Sequence, residues 1–302
     1  VSIKYEHIIG AICGTPWAIE PGKLSEIVAV VAHHAAGQDF SADEIEARIG
    51  ARSQGVSQGQ GVGVLPIRGT ISHRMGSMDE SSGGVSTERL SGMLAAYMAD
   101  ETVGSILLDI DSPGGTVTGV SELAAQLFAA RGQGKPIVAL VNGMAASAAY
   151  WLASQADEIV SIPSGLTGSI GVYTAHQDMS AALDKEGVKV TLISAGTHKL
   201  EGNPFEPLSD EARAVVQARV DDAYAVFVKD VARGRGVTPG DVRKGYGEGR
   251  VLGAKDAKAA GLIDRIGTVE ETLGRVMGRS RPSMRAETDA ALVAEAIRLE
   301  AF

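Results

Sequence analysis

The sequence predicts an α/β fold: short β-branched runs alternate with amphipathic helices from Val62 onward, and 44% of the 302 residues are hydrophobic. The alternation is strand, helix, strand, which favours largely parallel strands buried on both faces. The 38 glycines against 4% aromatics point to close backbone packing and tight turns. A chain of this length can bury a full core.

The elements follow in order. Pro21-Gly22 introduces a helix over Lys23 to Ala36, with Leu24, Ile27, Val28 and Val31 at helical spacing, and Ser41-Ala42-Asp43-Glu44 resembles a capping box opening a second helix to Arg52. Residues 1–52 therefore read as a helical N-terminal appendage and 53–61, rich in Gly, Ser and Gln, as a linker. In the body over 62–278, strands are expected at Val62 to Ile71, Ser105 to Ile110, Pro136 to Val141, Glu158 to Ile162 and Val188 to Ser194. Helices are expected at Thr87 to Ala99, Val117 to Ala130, Ser147 to Gln155, Ser180 to Glu186 and Asp210 to Arg235. Shorter helices follow around Pro239 to Lys244, Ala254 to Ala260 and Val269 to Met277. Residues 279–302 are a second linker and an amphipathic helix, Ala286 to Ala301.

Charge and composition exclude several classes. A net charge of −9 argues against nucleic-acid or anionic-membrane partners, which need basic patches. The single Cys13 rules out an internal disulfide framework and fits a reducing compartment. No signal peptide or membrane span is recognised, because Ile27 to Ala32 is cut short by His33-His34. No histidine or carboxylate group has metal-ligand spacing, so neither metal nor cofactor is expected.

Two segments carry chemistry. Ser147 lies in Gly143-Met144-Ala145-Ala146-Ser147-Ala148-Ala149-Tyr150, where a strand hands over to a helix. Small neighbours would let a peptide backbone reach its hydroxyl, and the first turn of the helix offers free N–H groups, that of Ala148 first, to an oxyanion. Ser112-Pro113-Gly114-Gly115 follows an apolar strand, and its glycines let the backbone approach a ligand. Gly114 is a candidate for substrate contact, while the Gly115 and Ala148 N–H groups are candidate oxyanion donors. Each segment on its own is equally compatible with tight packing.

Together with Thr167-Gly168-Ser169-Ile170-Gly171-Val172 and Gly196-Thr197-His198-Lys199, these motifs occur in the order seen in the signal peptide peptidase A family, which includes bacteriophage prohead proteases. The chain resembles that family over roughly Val62 to Val276. The resemblance implies a Clp/crotonase-type fold of repeated β-β-α units, and a Ser/Lys dyad with Ser147 as nucleophile and Lys199 as general base. It assigns Ser169 the task of hydrogen-bonding the lysine amine. An unperturbed lysine, with a pKa of about 10.4, is almost wholly protonated near neutrality. Lys199 is accordingly expected to bury its amine in an apolar cleft beside Ser147.

The sequence around Ser147 also resembles Clp protease, in which a histidine completes a Ser-His-Asp triad; His176 is the candidate there and His198 a bystander. A crotonase-type coenzyme A enzyme and a non-catalytic scaffold component are further alternatives. Within the family, Gly14 to Ile19 resembles the front of phage prohead proteases, which implies capsid maturation in the bacterial cytoplasm or prohead interior. A signal peptide peptidase would carry an anchor, and with the chain ending at Phe302 any scaffold extension is expected to be short. The implied partners are scaffold, portal or capsid proteins as substrates, together with further copies in a homo-oligomer, with the Asp210 to Arg235 helix either its contact element or packed on its own domain. Small residues are expected before the scissile bond, and self-cleavage near Arg279 to Ser283.

Overall fold

The computed structural model describes residues 15–35, 61–75 and 83–279. Cys13, the helix expected over 41–52, most of the first linker and the expected C-terminal helix lie outside the described residues. The first elements are β1 (Trp17–Ile19) and α1 (Pro21–Ala35). A first β-α-β unit follows, made of β2 (Val62–Ser72), β3 (Val85–Ser86), α2 (Thr87–Ala99) and β4 (Ser105–Thr116). It continues through α3 (Val120–Ala130), β5 (Ile137–Ala146), α4 (Ala148–Ala153) and β6 (Glu158–Ser161). Then come β7 (Leu166–Gly168), α5 (Ser180–Lys185), α6 (Asp210–Arg235) and α7 (Pro239–Gly245). The last elements are β8 (Val251–Gly253), α8 (Ala254–Ala259), β9 (Arg265–Ile266) and α9 (Val269–Arg279).

The central sheet runs β3-β2-β4-β5-β6-β9, all parallel. The predicted α/β class is found, as a mostly parallel sheet of β-α units consistent with the Clp/crotonase type. Alternation sorts the buried strand residues between two layers. Ile106, Leu108 and Ile110 of β4, with Ile137, Ala139 and Val141 of β5, pack in the larger core with α2, α3, α4 and α6. Leu107, Val138 and Leu140 point to the other face, where Leu273 and Val276 of α9 cover them.

Helix boundaries have local causes. Ser86 caps α2 by accepting the Arg89 N–H at 3.1 Å. Ser209 caps α6 in the same way, and Gly236, in the left-handed conformation, ends it. Thr238 and Asp241 form a reciprocal capping box on α7. Helix α3 begins at Val120, three residues later than expected, because Gly119 turns left-handed at φ 83°.

Three expectations are corrected. The strands expected to end at Ile110 and Val141 run on through the motif segments to Thr116 and Ala146, where β1 and β7 pair with them. The strand expected at Val188 to Ser194 is absent, as those residues have no sheet partner and most are exposed. Within the segment expected to be helical, Trp17, Ala18 and Ile19 form a strand, pair antiparallel with Thr116, Gly115 and Gly114 and are buried.

Candidate active site

Strand β5 ends at Ala146, and Ser147 turns the chain into α4 with φ 55° and ψ −119°. This is a strained backbone for any residue but glycine, of the kind that persists where surrounding packing over-determines it. The Ser147 N–H donates to the Gly168 carbonyl oxygen at 2.8 Å, and its carbonyl accepts the Trp151 N–H at 2.9 Å. Its Oγ lies 3.5 Å from the Gly171 carbonyl oxygen, too long for a strong hydrogen bond.

Helix α4 is held from below. Trp151 stacks on Phe227 of α6 at 4.4 Å, and its indole N–H donates to the buried Asp230 carboxylate at 2.9 Å. The Tyr150 hydroxyl donates to the Leu262 carbonyl at 3.0 Å. Burial pushes that phenol well above its usual pKa, so it stays neutral. Gly234 lets α6 pass so close that an added Cβ would lie 2.1 Å from the Ser154 carbonyl oxygen.

The end of β4 reaches the same point. Ser112 Oγ donates to the Gly69 carbonyl at 2.6 Å and accepts the Gly114 N–H at 3.2 Å. Asp111 ties the two motif segments together by accepting the Met144 N–H at 3.1 Å. Gly114, at φ 100°, approaches the elbow so closely that a Cβ there would lie 3.0 Å from both the Ala148 nitrogen and the Ala146 oxygen. The structure therefore brings Gly114, Gly115, Ser147 and Ala148 together, and Ala148, as first residue of α4, has no intrahelical acceptor for its N–H.

Ser169 joins them from the other side. It is buried, also has φ 55°, and follows Gly168, whose carbonyl holds Ser147. Among the described residues, Lys199 makes no hydrogen bond to this group. The burial foreseen for it is not found in the single chain, because its segment crosses the surface without sheet pairing and Lys199 itself is exposed. The His176 ring, half-buried, sits 3.1 Å from the Asn203 carbonyl oxygen.

Some features were not legible in the sequence. Trp17 exchanges both backbone hydrogen bonds with Tyr173, at 2.7 and 3.0 Å, so β1 lies between β4 and the segment after Ser169. The Thr167 and Tyr173 hydroxyls are buried without a hydrogen-bond partner among the described residues. Potential ligand atoms, one each from His198, Glu201 and Glu211, which show no metal-ligand spacing along the chain, lie within 4.8 Å of one another. No helix among the described residues is long and apolar enough to cross a membrane.

Residues 129–281 match the model of peptidase family S49. Among individual proteins, the chain is 39% identical over 206 residues to the head-tail preconnector protein GP5 of Enterobacteria phage P21, covering 68% of this chain and 40% of that protein. It is 37% identical to the capsid assembly protease C of Escherichia phage lambda, over 68% of this chain and 46% of that protein. Protease 4 of Salmonella typhi is 33% identical over 65% of this chain and 32% of its own length. The chain thus spans less than half the length of these relatives.

Proposed function

Because the chain belongs to peptidase family S49, we propose that it is a serine endopeptidase in which Ser147 is the nucleophile and Lys199 the general base, acting on scaffold, portal or capsid proteins during phage head maturation. The observation that carries this is the strained, fully buried Ser147 at the N-terminus of α4, with Gly114 and Ala148 packed against it. The names of the phage P21 and lambda relatives support the biological setting.

In this mechanism neutral Lys199 takes the Ser147 hydroxyl proton as Oγ attacks the scissile carbonyl carbon. The oxyanion accepts the N–H groups of Gly115 and Ala148, donors fixed before reaction and so free of reorganisation cost. Collapse of the intermediate breaks the C–N bond, and the Lys199 ammonium returns its proton to the departing amine. A water molecule, deprotonated by Lys199, then hydrolyses the acyl-enzyme. Ser169 holds the lysine amine.

Such a base must lose its water. Val188, Val190 and Ile193 lie in the same surface segment as Lys199 and are 45%, 42% and 95% exposed. Association of copies into a homo-oligomer would cover these side chains and desolvate the lysine.

The test is hydrolysis of an unfolded protein substrate, combined with labelling by a serine-reactive fluorophosphonate. The adduct should form on Ser147 and disappear, with activity, in Ser147→Ala. An adduct elsewhere, or activity retained in that variant, would sink the proposal.

A further inference from the structure

Strand β1 is bound to the body as an extended peptide would be bound in a peptidase groove. One edge of the groove is the Gly-Gly end of β4, where Trp17, Ala18 and Ile19 pair antiparallel with Thr116, Gly115 and Gly114. The Glu20 N–H donates to the Pro113 carbonyl at 2.8 Å, and the Val117 N–H donates to the Pro16 carbonyl at 3.3 Å. Hydrogen-bonded pairs recur at every second residue of an antiparallel ladder. Ala18 and Gly115, midway between those two pairs, therefore exchange hydrogen bonds, and the Gly115 N–H points at the Ala18 carbonyl oxygen. The opposite edge is Tyr173, which takes both backbone groups of Trp17, with Thr174 Oγ1 donating to the Thr15 carbonyl at 3.1 Å.

The register aims one carbonyl at the chemistry. A Cβ on Gly114 would lie 2.2 Å from the Ala18 oxygen and 3.0 Å from the Ala148 nitrogen, so the Ala18 carbonyl and the first N–H of α4 flank the same point. With β1 in place Ser147 and Ala18 are both fully buried. The Trp17 and Ile19 side chains leave the groove for a small cluster with Leu24. Main-chain pairing on two sides with a small side chain at the reacting position is how an added strand is recognised.

We propose that β1 is a self-bound peptide, lying in substrate register in the peptidase groove between the Gly114–Thr116 edge and Tyr173. It rests on the assignment of Ser147 as nucleophile only for the direction in which the groove is read. The segment Pro16-Trp17-Ala18-Ile19 both fills the site and displays what it accepts: an extended chain with a small residue at the position of Ala18. An external substrate must displace β1, which acts as a tethered competitor at an effective concentration on the order of millimolar.

The test uses the full chain carrying Ser147→Ala, so that no peptide is consumed, and a dye-labelled synthetic peptide Gly-Thr-Pro-Trp-Ala-Ile-Glu-Pro followed by fluorescence anisotropy. A second form adds Trp17→Gly and Ala18→Pro, which removes the Ala18 N–H and the indole anchor. The peptide should bind this strap-broken form at least ten-fold more tightly than its parent, and a peptide with proline at the Ala18 position should not bind. Equal affinity for both forms, or no binding to a strap-broken form that keeps its circular dichroism and melting transition, would overturn the proposal. If that form does not fold, Trp17→Ala alone, which keeps the β1 backbone, must still raise affinity. Fluorophosphonate labelling of the Ser147-containing chains separates the two ideas. Peptide binding without a Ser147 adduct keeps the groove and removes the nucleophile, whereas an adduct formed equally fast with β1 intact or broken removes the self-bound strand.

Discussion

Ser147 and Ser169 share φ 55°, and they are linked through one hydrogen bond, from the Ser147 N–H to the carbonyl of Gly168 at 2.8 Å. Two strained serines are thus set back to back by β7 pairing on the end of β5. The strain is kept because the strands on either side leave no room for the backbone to relax. It bears on function, since Ser147 sits at the first N–H of α4 and Ser169 directly follows its anchor.

The strain is measurable. Replacing Ser147 with glycine removes a positive-φ penalty of about 1–3 kcal/mol. Ser147→Gly should therefore melt several degrees above the parent while losing more than about 99.9% of peptidase activity, whereas Ser147→Ala should lose activity without gaining stability. Differential scanning calorimetry beside a peptide hydrolysis assay decides this, and an unchanged or lower melting point for Ser147→Gly would refute it.

A lysine base and a histidine base predict different variants. Lys199→Ala should lower kcat/KM by about 10²–10⁴-fold, while His176→Ala should leave it within a few-fold. Steady-state kinetics of peptide hydrolysis by both variants is the measurement.

Acid stability should depend on Asp264. Burial alone would raise its pKa, but the Arg235 guanidinium, bonded at 2.6 Å, and the Ile159 N–H, bonded at 2.7 Å, outweigh it, and the carboxyl is held below its usual value. A carboxyl depressed in the folded state contributes stability above its unfolded pKa of about 4, and that contribution is lost as pH falls through the lower folded value. Asp264→Asn should be less stable than the parent in urea at pH 7, with the gap narrowing as pH falls below about 4. A gap that does not depend on pH would count against the assignment.

The floor beneath the elbow is tightly fitted. Trp151→Phe keeps the stack on Phe227 but deprives the buried Asp230 of the indole donor, and should cost about 1–3 kcal/mol. Gly234→Ala places a methyl against the Ser154 carbonyl and should cost a similar amount. Urea titrations of both variants, expected to lower the midpoint, test whether α6 supports α4.

What the sequence by itself determined is what neighbours along the chain determine. The bounds of α2 and α6 were legible because Ser86, Ser209 and Gly236 satisfy or end helices locally, and the inner strands because alternation sorts Ile106, Leu107 and Leu108 to opposite faces. The ordered motifs singled out Gly115, Ser147 and Ser169, and the fold brings these residues near one another. Only the tertiary structure decided that Trp17 to Ile19 is a strand, since three residues carry no periodicity and their partners lie about a hundred positions away, at Gly114 to Thr116. It also decided the surroundings of Lys199. Hydrophobic pattern favoured a strand at Val188 to Ser194, yet those residues pair with no strand of the described sheet, and pattern without a partner makes no strand. Residue types and their order are written in the motifs, but which backbone lies beside Ser147 is set by long-range pairing, because strand partners are chosen by the fold and not by chain neighbours.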